Sequence, residues 1–119
     1  MAITASYAKR NQSVSLTFNA ATASQTVGYS DKPAEKIVLI VDNANSSAGQ
    51  TATVTVVKGD YITKEAGDLV AEIGKESQVV IGPLESTRFK NTDGEIEVNV
   101  AVTASGTVSN VKIAAIKLP

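Results

Sequence analysis

From Glu95 to Thr103 the chain alternates: Ile96, Val98, Val100 and Val102 fall on one side, Glu95, Glu97, Asn99 and Thr103 on the other. A period of two belongs to a strand with one face on a core and one in water, so helix is ruled out there. Residues 13–18 repeat the pattern with Val14, Leu16 and Phe18, and residues 51–56 repeat it with Ala52, Val54 and Val56. The run Ile37–Val41 does not alternate, which predicts a central strand covered on both faces. Shorter strands are expected at 69–73 and 78–81. In 107–118 the phase shifts from Val111, Ile113 and Ala115 to Ile116 and Leu118, which predicts a β-bulge near Ala114–Ala115.

Composition supports the same class. The 119 residues include 15 Val, 9 Ile and 12 Thr, side chains that are stiff at χ1 and pack best on a pleated surface. Asp93-Gly94 and Ser105-Gly106 are turn dipeptides, and the second predicts a C-terminal hairpin of 96–103 with 107–115, with Gly106 supplying positive φ. Gly82-Pro83 is expected to end the preceding strand, with one short helical turn near 84–88 after it. The expected fold is all-β: an antiparallel β-sandwich, immunoglobulin-like or jelly-roll-like, of about seven to eight short strands. Residues 13–119 form the single sandwich domain of this reading. Residues 1–12 lack strand periodicity and are expected to be an N-terminal arm, in which Ile3, Tyr7, Lys9 and Arg10 mix apolar and cationic groups suited to a partner surface. Tyr61, in the polar loop 58–68, is the remaining partner-binding candidate.

Chemistry is constrained by what is missing. There is no His, Cys or Trp, which removes thiol and imidazole nucleophiles, imidazole bases and thiolate or imidazole metal ligands. A net charge of −1 argues against a nucleic-acid partner. No apolar run approaches a membrane span or a signal-peptide core, which predicts synthesis in the cytoplasm and no membrane partner. Glu95 and Glu97, ~7 Å apart on one strand face, have the residue types of a glycosidase pair, but an alternating strand presents such carboxylates to water, with Lys112 across the expected hairpin. Asp42-Asn43-Ala44-Asn45 offers oxygen ligands resembling half of a calcium loop, without its glycine or closing glutamate, and the same residues favour turns. The serines have no base to activate them, and the tyrosines, Tyr7, Tyr29 and Tyr61, are too scattered for a stacking platform. No cofactor is expected, and no enzymatic activity.

Three stretches carry a resemblance: Lys36-Ile-Val-Leu-Ile-Val-Asp-Asn-Ala44, Ile81-Gly-Pro-Leu-Glu-Ser-Thr-Arg-Phe-Lys-Asn91 and Val111-Lys-Ile-Ala-Ala-Ile-Lys-Leu-Pro119. Across residues 36–119 the chain resembles small β-sandwich structural proteins of tailed bacteriophages and prophages, often capsid decoration or cement proteins. The resemblance implies a virion component made in the host bacterial cytoplasm. It would sit on the capsid surface, bind the major capsid protein and repeat as a homo-oligomer on the particle. It transfers no site residues. A tail or head–tail joining component is the alternative within that class, and a carbohydrate- or receptor-binding module the alternative outside it.

Overall fold

The computed structural model describes residues 2–8, 11–28, 36–60 and 67–118. Lys9, Arg10 and Tyr61 lie outside them. Two sheets pack face to face around one apolar core, the sandwich expected from the alternation, but each is mixed rather than purely antiparallel, with one parallel pairing at its edge. In chain order the strands are β1 (Ala2–Thr4), β2 (Ser6–Tyr7), β3 (Asn19–Ala20), β4 (Ser24–Gly28), β5 (Lys36–Asn43), β6 (Ala52–Val56), β7 (Leu69–Ile73), β8 (Ser77–Glu85), β9 (Glu95–Val102) and β10 (Val111–Leu118). One sheet runs β1-β4-β9-β6-β7 and the other β2-β10-β5-β8, with β3 also paired to β10. A single helical turn, α1 (Ser86–Phe89), follows β8 and buries Phe89. Among the described residues no helix is long and apolar enough to cross a membrane.

Inward positions follow the alternation closely. Ile96, Val98 and Val100 of β9, Val54 and Val56 of β6, and Ile37, Leu39 and Val41 of β5 are all buried. Strand β4 hides from a hydropathy reading because its inward residue Gln25 is polar. Gln25 is tolerated there because its amide donates to Val98 O and its Oε1 accepts from Thr22 N at 2.7 Å.

The first residues are not a detached arm. Ile3 stands opposite Val27 in a parallel pairing of β1 with β4, and Ile3 is only 2 % exposed. The chain then crosses at buried Ala5 to the other sheet, where Tyr7 pairs with Lys117 of β10. Three residues are too few to show a period, which is why sequence alone misses these strands. Conversely, residues 13–18 form no strand and pair with no other described residue, and only Asn19–Ala20 reach β10. The outer edge of β10 is shared by β2 and β3, leaving no ladder for 13–18.

The expected C-terminal hairpin does not form. Strand β9 is bonded on both edges, by β4 and β6, so β10 crosses to the opposite sheet. The turn between them has left-handed φ at Ala104 (54°) and Ser105 (63°), with Gly106 N donating to Thr103 O at 3.0 Å. Gly106 is therefore not the positive-φ residue. It is needed for space, because a Cβ there would overlap Val102 Cγ1 and sit 3.3 Å from Asn45 Oδ1. Gly106→Ala is expected to destabilise by about 1–3 kcal/mol, read from the urea midpoint. An unchanged midpoint would mean that Val102 swings clear without penalty.

Three finer expectations also change. Strand β10 pairs with β5 without a slip from Val111 to Leu118, so no bulge forms at Ala114–Ala115. Lys117, not Ile116 or Leu118, takes the inward phase and is 5 % exposed. Strand β8 continues through Pro83, because an edge strand loses no ladder bond to a missing N–H. The irregularity sits there instead: Gly82 and Pro83 lie opposite Val38 between the Ile37–Leu84 and Leu39–Ile81 pairs. Finally, β5 is central, with Ile37, Leu39 and Val41 fully buried on its inner face, while Val38 and Ile40 on its outer face are only half-buried.

Candidate functional site

The two outer faces of the sandwich differ in chemistry. On the sheet containing β9, outward residues include Thr26, Thr53, Thr55, Glu97 and Asn99, and all but Thr26 line a shallow trough of about 430 Å³ with Ser24. On the other sheet, β5 turns Val38 and Ile40 outward. Register sets Val80 of β8 and Ala114 of β10 on either side of Ile40, and Ile116 beside Val38. Leu118 extends the row next to Lys36. Val80 is 67 % exposed, and Val38, Ile40, Ile116 and Leu118 are half-buried.

Charge closes both ends of this apolar row. Lys36 neighbours Glu85 across β5 and β8, and Asp42 neighbours Lys112 across β5 and β10. Side chains directly opposite on one face lie about 5 Å apart, so the row forms one continuous strip on a stiff, eight-residue-long central strand. Such a strip, apolar at its centre with a charged rim, has the anatomy of a protein–protein interface. Residues Ile37–Val41 and Ala114–Leu118 carry the signal in the sequence as apolar runs, but that they are neighbours is visible only in the register.

The sequence candidates fall elsewhere. Ile3 is in the core, Tyr7 is half-buried in β2, and neither shares a surface with the strip. Glu95 and Glu97 lie on the outer face of the other sheet, where Glu95 Oε2 accepts from Thr26 Oγ1 at 3.2 Å. Lys112 is not across from them, because β10 belongs to the opposite sheet. Among the described residues no three acidic side chains gather as a metal site.

Asn43 and Asn45 have a different use from the calcium ligation considered above. Both are buried. Asn43 Nδ2 donates to Gln50 O and Ile73 O at 3.0 Å and to Gly74 O at 3.2 Å. Its Oδ1 accepts from Asn45 Nδ2 at 2.8 Å and from Asn45 N at 3.2 Å. Asn45 in turn donates to Thr107 O at 3.1 Å and accepts from Thr107 N at 2.9 Å. Their oxygens are already engaged by N–H donors, so the pair is a clasp joining three loops at one end of the sandwich. The base of the 58–68 loop is fastened too: Lys58 N donates to Asp68 Oδ1 at 2.8 Å, and Gly59 N donates to Arg88 O at 2.7 Å.

No family model, curated protein or solved structure matches this chain.

Proposed function

We propose that this chain is a structural component of a tailed-phage virion, a capsid decoration or cement protein. In this reading it docks on the major capsid protein of an assembled head through the outer face of β10, β5 and β8, and many copies stiffen the shell without chemistry. One observation carries the reading. The stretches resembling phage head proteins supply β5, the end of β8 and β10, which lie side by side: β5 and β10 give the strip Val38, Ile40, Ile116 and Leu118, and the end of β8 gives its rim Glu85. A cement protein needs a stiff fold and a face for its lattice, and weak contacts per copy gain strength through repetition.

The test is co-sedimentation of purified protein with undecorated heads, followed by heating to follow genome release. Decorated heads should release their genomes at higher temperature. Ile40→Lys, which places a charge mid-strip on a half-exposed position, should lower head affinity at least about tenfold, or 1.4 kcal/mol, while leaving the unfolding midpoint nearly unchanged. Full-length protein that never pellets with heads overturns the reading. Pelleting with isolated tails instead would move the protein to the tail, and glycan-array binding by the monomer would make it a sugar-recognition module.

A further inference from the structure

Among the described residues, the exposed large apolar side chains are Leu16 (40 %), Phe18 (42 %), Val70 (57 %) and Val80 (67 %). Scattered singly they would need no explanation. Leu16 and Phe18 do not stand singly, since with Val14 they share one side of a period-two run. Val70 and Val80 sit on the edge strands β7 and β8 of the two sheets, on opposite outer faces. Leu16 and Phe18 sit on residues 13–18, which form no strand and none of whose amides donates a hydrogen bond to another described residue.

We propose that residues 13–18 of one copy add as a strand to the free edge of β8 in a second copy. Among the described residues, Ser77–Gly82 of β8 pair on one side only, with β5, so the other side of this stretch presents an open ladder edge, the usual template for strand addition. Residues 13–18 supply the complement: a period-two segment with Val14, Leu16 and Phe18 on one face. Lengths match. Six extended residues reach ~20 Å, about the span of Ser77–Gly82 before Pro83 breaks the edge.

The pairing must be between copies. Residues 13–18 leave the sheet between β2 and β3, at the edge of β10, whereas β8 is the opposite edge with β10 and β5 between. Charge agrees in either strand direction, since Lys9-Arg10 precede the segment in sequence and Glu76 and Glu85 flank the edge. Leu16 and Phe18 would then cover Val80 and lengthen the apolar strip onto the next molecule. Because donor and acceptor edges differ, the contact is head-to-tail and repeats into a ring or an open row.

The chain has no cysteine, so introduced thiols are the only ones available. Full-length Leu16→Cys and Val80→Cys proteins would be treated with a short thiol-to-thiol cross-linker, separately and mixed. Dimers should form at least tenfold more in the mixture than in either protein alone. By sedimentation, Leu16→Ser/Phe18→Ser and Val80→Lys proteins should each be monomeric at concentrations where wild type forms larger species, and mixing them should restore a 1:1 complex. Wild type that stays monomeric at millimolar concentration overturns the proposal. So does Val80→Cys cross-linking to itself as well as to Leu16→Cys, or Val70→Cys replacing it as the favoured acceptor. Only purified protein is used, so these outcomes are independent of head binding.

Discussion

Asn43→Ala should lower stability by about 3–5 kcal/mol, as much as truncating a buried core side chain. The variant removes a donor shared by three carbonyls, Gln50 O, Ile73 O and Gly74 O, and the acceptor that holds both nitrogens of Asn45. Each buried polar group left unmatched costs about 1–3 kcal/mol, and part of that returns where water reaches the loop ends. The measurement is equilibrium urea unfolding, with outward-facing Thr53→Ala as a control expected within about 0.5 kcal/mol of wild type. Asn43→Asp keeps the acceptor and loses the donor, so it should also be strongly destabilised. A loss below about 1 kcal/mol for Asn43→Ala would mean the freed carbonyls are rehydrated and the clasp is dispensable.

Deleting residues 2–8 should cost about 4 kcal/mol or more. The deletion strips buried Ile3 and Ala5 from the core and uncovers the ladder edges of β4 and β10. Ile3→Ala alone should account for about 2–4 kcal/mol of it. By contrast, Phe18→Ser should change the unfolding midpoint little, because that ring is 42 % exposed. Thermal unfolding of the three proteins decides between an integrated and a detached N-terminus. An unchanged midpoint in the deletion would return residues 2–8 to the status of an arm.

These results locate what was readable from residues alone. Sheets, core phase and most strand positions were legible because burial follows a period of two: Ile96, Val98, Ile113 and Val54 are inside as their spacing requires. Pairing partners were not. The Ser105-Gly106 turn was found, but whether β10 returns beside β9 depends on β4 and β6 already holding both edges of β9, which no local pattern encodes. Strand β4 was lost to its inward Gln25, and β1 and β2 were too short to show a phase. The candidate surface suffered most. Its residues Ile40, Val80 and Ile116 are far apart in sequence and meet only through register, whereas the chosen Ile3 is apolar for the commoner reason that it is core.

The placement of β9 and β10 bears on how the molecule is made. Each lies inside its own sheet, with strands on both sides, yet both come from the last part of the chain. During synthesis β4 has no neighbour from its sheet except β1, and β2 and β3 have none, until those residues leave the ribosome. Besides β1–β4, the β6–β7 and β5–β8 pairs are available earlier. Nascent chains arrested before residue 111 should therefore stay protease-sensitive, and folding should be late and dominated by distant contacts. The apolar run Ile37–Val41 keeps one edge open until β10 emerges, so the cell must keep that segment from sticking to others before that strand arrives.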